Sequence, residues 1–248
     1  MARRLAAAGD RGREQPVRDR VPRPDHPRRR AAPDADLPAY HLRWFTPAVE
    51  VDLCGHATLA GASYLFEDVH PDAAGLRFWT RSGWLGVERA GDGGYTLDFP
   101  SEPPTPVDID PDVVAALGGV PVLEMLRGTD VVCVVADADV VRSVVPDAAA
   151  LDRLRTRGVV VTAAGGDSGY DVVSRWFGAD AGIVEDPVTG SAHSQIAPMW
   201  AQRLGRTELV ARQLSARGGT VCCRVDGDRT FLTGRCHRYL EGTITLPD

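Results

Sequence analysis

Two short segments of the sequence combine glycine with side chains that could transfer protons or bind anions. The first, EVDLCGHAT (50–58), places Cys54 and His56 on either side of a glycine. The second, EDPVTGSAH (185–193), contains Asp186 and a further glycine. Each runs into a mainly apolar stretch of the kind that forms a buried helix. We therefore treat both segments as candidate functional loops and weigh three kinds of chemistry for them.

A metal site would need more donors than these loops supply. Cys54 and His56 are two residues apart, and His193 is a remote candidate partner. A tetrahedral zinc site takes four protein ligands in its structural form, and no second Cys/His pair has zinc-like spacing. The sequence predicts no metal and no cofactor.

Cys54 could alternatively be a nucleophile with His56 as its base. A helix N-terminus lowers the pKa of a thiol, which favours this chemistry. However, we expect side chains two residues apart around a helix start to point in different directions. A single cysteine of this kind is more often a small, inert, buried residue. Covalent catalysis stays open as an alternative to backbone-mediated binding.

The third interpretation relies on the backbone. Gly55 and Gly190 permit close approach, and each precedes a helix whose first N–H groups lack an intrahelical partner. Two such helix starts facing one cleft would bind a carboxylate, unless both loops are merely capped turns. The residues expected to contact the substrate are Gly55, Ala57, Thr58, Thr189, Gly190 and Ser191. His56 and Asp186 are the expected proton-transfer residues.

The elements around the loops follow one plan twice. Each half places an apolar helix after its glycine-containing loop, among many short strands with glycine at the turns. We therefore predict an α+β fold of two pseudo-symmetric domains, each a curled mixed β-sheet around a central helix. The first domain covers 40–104 and is incomplete, and the second covers 105–248, with its last strand able to join the first. The Arg/Pro-rich segment 1–39 is predicted to be a disordered leader.

Composition indicates which partners and which cellular compartment to expect. The 248 residues carry a net charge of −6, which argues against general nucleic-acid binding, although ten arginines fall within 1–30. No stretch reaches the 18 or so apolar residues of a membrane span. Five cysteines without framework spacing indicate free thiols in a reducing compartment. With no apolar run after the first arginines, we expect a cytoplasmic protein without a membrane partner.

Two long motifs in order resemble the PhzF-like family, named for an isomerase of phenazine biosynthesis. They are RWFTPAVEVDLCGHATLAGA (43–62) and DVVSRWFGADAGIVEDPVTGSAHSQIAPMWAQRLG (171–205), and ARGG (216–219) resembles a later glycine loop of the family. The resemblance implies a diaminopimelate-epimerase-like fold, a homodimer, and a cofactor-independent proton shift on a small carboxylate in the interdomain cleft. It also implies that Gly218 and Gly219 bind substrate, and that His56 and Asp186 support a glutamate that carries the proton.

That glutamate belongs to an SETAF-like motif that this sequence does not contain. With suitable codons, PVRDRVP (16–22) shifted by one base would read Leu-Ser-Glu-Thr-Ala-Phe. Our hypothesis is that residues 1 to about 30 are an out-of-frame reading of a family gene, so that isomerase activity is impaired. Related racemases of this fold use two cysteines, one per domain. Cys54 could be the first, but EDPVTGSAH offers no second.

Overall fold

The computed structural model describes residues 36–45, 50–154, 156–178 and 184–243. The predicted leader 1–39 lies outside these residues except for its last four positions, 36–39. Residues 16–22, on which the reading-frame hypothesis depends, lie outside them as well. The described residues belong to one compact unit that runs from Ala32 to Asp248.

Strands dominate the described chain, and five α-helices interrupt them. The strands are β1 (Ala39–His41), β2 (Trp44–Phe45), β3 (Glu50–Val51), β4 (Gly75–Thr80), β5 (Gly83–Arg89), β6 (Tyr95–Pro100), β7 (Thr105–Val107), β8 (Glu124–Arg127), β9 (Val131–Val134), β10 (Gly158–Ala164), β11 (Val172–Gly178), β12 (Glu208–Gln213), β13 (Gly219–Asp226) and β14 (Arg229–Gly234). The helices are α1 (Gly55–Tyr64), α2 (Pro111–Ala116), α3 (Ala138–Ser143), α4 (Ala148–Leu151) and α5 (Gly190–Leu204).

Twelve of these strands form one continuous curled sheet. Its order is β1-β4-β5-β6-β14-β13-β12-β11-β10-β9-β8-β7, and β2 and β3 pair separately. The pairs β1/β4, β9/β10 and β11/β12 are parallel, and the other neighbours are antiparallel. The predicted α+β class and mixed sheet are confirmed. Strand β14, the last strand of the described residues, hydrogen bonds to β6 of the first half.

Alternating apolar residues give the sheet a core on each face. On β9, Val132 and Val134 face the core that contains α1 and α5, whereas Val131 and Cys133 face the core that contains α2, α3 and α4. This two-residue period is what a strand covered on both sides requires. Each fully buried valine or leucine contributes about 1.5–3 kcal/mol through burial. The two cores therefore fix the sheet that positions α1 and α5.

Only one of the two apolar helices is surrounded by protein. Helix α5 is buried over most of its length. Helix α1 buries Gly55, Thr58, Ala62 and Ser63, but the side chain of Tyr64 is 56% exposed. The expectation that both helices lack a solvent-facing side is therefore wrong for α1. In the described ranges, α1 packs against β6 and α5.

Local sequence patterns mispredict three further segments: alternation in YHLRWFTP (40–47) predicts one strand, the prolines of 101–110 predict a linker, and 235–243 is expected to end a run of strands. The segment YHLRWFTP is not one strand, because β1 pairs with β4 whereas β2 pairs with β3. The expected linker 101–110 contains β7, an edge strand of the sheet. Residues 235–243, predicted to be a strand, have no regular secondary structure. No described helix combines the length and hydropathy that a membrane span requires.

Candidate active site

The starts of α1 and α5 touch each other. A Cβ atom built on Gly55 would lie 3.1 Å from the Cα of Gly190, and one on Gly190 would lie 3.2 Å from the Cα of Gly55. Any larger residue would push the two helix starts apart, so glycine is needed at both positions for this approach. Both glycines line one cleft of about 450 Å³, and it is formed by residues from both halves of the sequence.

The two helix starts keep their first N–H groups free of side-chain caps. Asp110, Asp137 and Asp147 cap α2, α3 and α4 through their carboxylates. By contrast, Cys54 and Thr189, which precede α1 and α5, make no side-chain capping bond. Neither helix has an acidic residue in its first turn. Helix starts with no side-chain cap and no acidic residue in the first turn are suited to an anion from outside the chain.

A hydrogen-bonded loop holds Asp186 at the cleft. The hydroxyl of Thr189 donates to Asp186 Oδ2 over 2.6 Å. The buried amide of Gln213 fixes the same loop, because its Nε2 donates to the Asp186 carbonyl over 2.6 Å and its Oε1 accepts from the Thr189 N–H over 2.8 Å. Asp186 therefore has a defined position, set by β12 as well as by its own loop.

His56 lies at the start of α1, between the thiol of Cys54 and the opposite loop. Its Nδ1 lies 3.3 Å from the carbonyl oxygen of Val188, and its Nε2 lies 3.6 Å from Cys54 Sγ. A carbonyl can only accept, so Nδ1 carries a proton and Nε2 faces the sulfur. The pKa of His56 is raised to about 9, first by its hydrogen bond with Cys54, and also by the charges of Cys54 and Asp186.

The contact between Cys54 and His56 corrects a prediction. The two side chains were expected to point apart, as they would inside a helix. Cys54 has extended backbone angles (φ −144°, ψ 102°) because it lies just before α1, so helical geometry does not direct its side chain. Its sulfur turns toward the imidazole and lines the cleft. The cysteine is only partly buried.

An arginine that sequence reasoning missed also faces the cleft. Arg157 Nε donates to Asp130 Oδ1 over 2.8 Å, and its Nη2 donates to Asp130 Oδ2. Asp130 is fully buried and receives a further bond from Gln195. Arg157 Nη1 donates to Ser191 Oγ over 2.9 Å, so the hydroxyl proton of Ser191 is available to the cleft. The parallel pairing of β9 and β10 explains the juxtaposition, because Asp130 and Arg157 precede these strands.

The structure brings six of the ten predicted site residues together. Those that line the cleft are Gly55, His56, Asp186, Thr189, Gly190 and Ser191. Ala57 lies in the first turn of α1 without lining it. Thr58 is fully buried, and its hydroxyl donates to the Cys54 carbonyl over 2.7 Å, so this side chain supports the helix start and cannot reach a substrate.

Gly218 and Gly219 also lie outside the cleft lining. A Cβ on Gly219 would lie 2.1 Å from Val188 Cγ2, so glycine is required here for packing against the second loop. Ser215 donates to the Pro187 carbonyl over 2.8 Å and accepts from the Gly218 N–H. This segment therefore holds the loop that places the Val188 carbonyl beside His56, and substrate contact by its glycines stays a prediction.

Arg175 pairs with Glu185 over 2.6 Å rather than with the neighbouring Asp186. The bridge between Trp176 and Asp186 explains the difference, since neighbouring residues along a strand point to opposite faces. Trp176 and Asp186 line the cleft, whereas Glu185 points away with Arg175. Among the described residues, no group of three or more His, Cys, Asp or Glu side chains could hold a metal ion. His193 is fully buried and bonds the Thr189 carbonyl.

Comparison with known proteins places the chain in a family. The family model described as phenazine biosynthesis-like protein matches residues 31–242. The chain belongs to the phenazine biosynthesis-like family. Both loops of the cleft lie inside the matched range, so the resemblance drawn from their motifs is confirmed.

Relatives support the same assignment. An uncharacterized isomerase of Pseudomonas aeruginosa is 48% identical over 207 residues, which is 84% of this chain and 78% of that relative. A PhzF-family structure from Enterococcus faecalis has a TM-score of 0.78 at 42% identity and covers 83% of this chain and 78% of that one. The chain is thus similar to family members that carry the name isomerase.

A more distant structure confirms the fold. A probable proline racemase from Agrobacterium radiobacter, with bound carbonate, has a TM-score of 0.55 at 13% identity and covers 84% of this chain and 72% of that one. At this identity the likeness concerns the fold alone. Together with the PhzF-family neighbour, it confirms the predicted diaminopimelate-epimerase-like architecture for this phenazine biosynthesis-like protein.

Proposed function

We propose that the chain is a cofactor-independent isomerase that shifts a proton on a small carboxylate-bearing substrate in the cleft. The observation that carries this proposal is the contact between Gly55 and Gly190, which joins two uncapped helix starts beside His56 and Asp186. Free N–H groups of the two first turns would bind the carboxylate. His56 and Asp186 would then hold and return the proton at the neighbouring carbon.

Arg157 and Ser191 complete the anion site. The hydroxyl of Ser191 accepts from Arg157, so its own proton can be donated to a substrate oxygen. The side chain of Arg157 is 34% exposed, and the buried Asp130 fixes its orientation. A guanidinium held in this way is preorganised, so less conformational entropy is lost when it binds a carboxylate. The carboxylate would therefore lie between the two helix starts and this pair.

We further propose that a chain with this sequence turns over slowly. The family resemblance assigns the main proton carrier to a glutamate of an SETAF-like motif, which the sequence does not contain. Two other glutamates, Glu50 and Glu102, line the cleft. Glu50 is paired with Arg43 and Arg81, and Glu102 accepts from Thr129. A positioned acid or base contributes about 10²–10⁴-fold in rate, which sets the expected loss.

A second candidate function follows from the same pairing of glutamates. If neither Glu50 nor Glu102 can take the proton, the cleft would bind small carboxylates without converting them.

On the family resemblance we also propose a homodimer, to be tested by light scattering. The five cysteines without framework spacing lead us to propose a cytoplasmic location.

Deuterium exchange tests these proposals. Small carboxylates with an acidic C–H bond, including a dihydro-hydroxyanthranilate, are incubated in D₂O with the chain, and deuterium at carbon is measured by mass spectrometry. We expect slow exchange that His56→Gln and Asp186→Asn abolish and Gly61→Ala leaves unchanged. Fast exchange would refute the proposed impairment.

A fusion experiment separates the isomerase from the binder. An N-terminal segment with the family's SETAF-like motif replaces residues 1–35. The isomerase proposal expects a gain of about 10²–10⁴-fold in exchange. Unchanged exchange with retained carboxylate binding would favour the binder. Sequencing the coding DNA across codons 16–22 tests the reading-frame hypothesis, which fails if the shifted frame does not encode an SETAF-like peptide.

A further inference from the structure

Cys54 differs from the other cysteines of the described chain in its surroundings. Cys133 and Cys223 are buried in the cores, and burial raises the pKa of the Cys133 thiol to about 12. Cys222 is exposed on β13, and Cys236 is half-buried with a pKa that burial raises. Cys54 alone among these five lines the cleft and has an imidazole within reach of its sulfur.

The hydrogen bonds of His56 fix which nitrogen faces the sulfur. The Val188 carbonyl accepts a hydrogen bond from Nδ1 over 3.3 Å. Nε2 lies 3.6 Å from Cys54 Sγ, whereas Nδ1 lies 4.0 Å from it. Nε2 can therefore accept the thiol proton while Nδ1 keeps its own. This is the arrangement by which a histidine activates a cysteine nucleophile.

Two further features place positive charge beside the sulfur. Cys54 immediately precedes α1, a ten-residue helix, and the positive end of the helix dipole stabilises an anion there. In addition, the pKa of His56 is raised to about 9, chiefly because the imidazolium is stabilised by its bond to Cys54. His56 therefore carries a positive charge beside the sulfur at neutral pH.

We propose that Cys54 is a covalent-modification site for small carbon electrophiles, with His56 as the base that activates it. For an α-halo acid or amide, the Sγ–C bond forms as the carbon–halogen bond breaks. The halide leaves with the bonding electron pair, and the proton that the thiol has given up stays on His56 Nε2 as the imidazolium of a thiolate–imidazolium pair. For an α,β-unsaturated carbonyl compound, Sγ adds to the β-carbon and the proton is returned to the α-carbon.

The cleft also selects among electrophiles, and this part rests on the proposed function. The free N–H groups of α1 and α5 and the side chain of Arg157 lie in the lining that contains Cys54. A carboxylate bound there would place the electrophilic carbon of a short acid near the sulfur. The site should therefore prefer an electrophile that bears a carboxylate to its amide analogue.

Alkylation rates test the site without knowledge of a substrate. The full chain is treated with iodoacetamide at pH 7.5, and mass spectrometry of peptides gives separate rates for Cys54 and for the exposed Cys222. We expect Cys54 to react about tenfold faster or more, and His56→Gln to reduce its rate to that of Cys222. An equal rate for the two cysteines in the wild-type chain, which requires no variant, would overturn the proposal. So would a rate for Cys54 that His56→Gln does not change.

The carboxylate preference is measured in the same experiment with iodoacetate. The ratio of iodoacetate to iodoacetamide rates at Cys54 is divided by that at Cys222, which corrects for intrinsic reactivity. A corrected ratio above one supports selection by the cleft, and Arg157→Gln should lower it. A ratio of one or below, together with fast reaction of iodoacetamide, would contradict carboxylate binding in the cleft and leave the reactive thiol established.

Discussion

Substituting Gly55 by alanine should separate the two helix starts. The new Cβ would lie 3.1 Å from Gly190 Cα and 3.5 Å from Phe99 Cε2. A backbone atom cannot rotate away as a side chain can, so the helices must shift by a few tenths of an ångström. Overpacking of this kind costs about 1–3 kcal/mol, which outweighs the helix propensity of up to about 1 kcal/mol that alanine contributes.

Gly61 provides a matched control on the same helix. A Cβ at this position meets no atom within 4 Å. Gly61→Ala should therefore stabilise the chain by about 0.5–1 kcal/mol through helix propensity alone. Replacing glycine by alanine at these two positions, six residues apart, is thus predicted to change the free energy of unfolding in opposite directions.

Urea denaturation followed by circular dichroism measures both effects as changes in midpoint at constant slope. Gly55→Ala should lower the midpoint and Gly61→Ala should raise it. Gly190→Ala should behave like Gly55→Ala, and the double variant should deviate from additivity by more than about 0.5 kcal/mol. If Gly55→Ala stabilised the chain as much as Gly61→Ala, the close contact between α1 and α5 would be wrong.

Two further predictions concern charged groups. Arg157→Ala leaves the fully buried Asp130 without its main partner and should cost about 3–5 kcal/mol, whereas Arg203→Ala breaks a partly exposed pair with Glu124 and should cost at most about 1 kcal/mol. If the two variants lost equal stability in urea denaturation, the Arg157–Asp130 pair would contribute no more than the Arg203–Glu124 pair. In an NMR titration, the imidazole of His56 should titrate near pH 9, and Cys54→Ala should move its midpoint down toward 6.5, because the largest cause of the raised pKa is removed. Because the folded pKa of His56 is raised, the stability that its charge contributes is present below pH 6.5 and lost as the pH rises through about 9. Between pH 6.5 and about 9, the wild-type chain should therefore lose more stability than His56→Gln. Parallel curves of stability against pH for the two chains would contradict the raised pKa of His56.

The sequence predicts the elements of the site better than its contacts. The apolar helix after each glycine loop and the short strands with glycine at their turns follow from local patterns, and the structure has both. Periodicity reports which residues can form an element. It does not report which strand of the first half pairs with β14, because the pairing with β6 joins residues more than a hundred positions apart.

The same limit explains what was missed in the cleft. Arg157 and Asp130 meet only because β9 and β10 are parallel neighbours, and Gln213 reaches the Asp186 loop from a different strand. Cys54 was expected to point away from His56 on helical geometry, which does not apply to a residue with extended angles before the helix. Local spacing identified the loops, and long-range strand order determined which side chains face them.

The central claim is that a carboxylate binds at the paired helix starts of α1 and α5. The most direct test is an NMR titration of the ¹⁵N-labelled chain with benzoate and with its uncharged analogue benzamide. We expect benzoate to shift the backbone amide signals of Gly55, Gly190 and Ser191 in a saturable manner, and benzamide to leave them unchanged. Benzoate shifts confined to other residues, or equal shifts with benzamide, would contradict it.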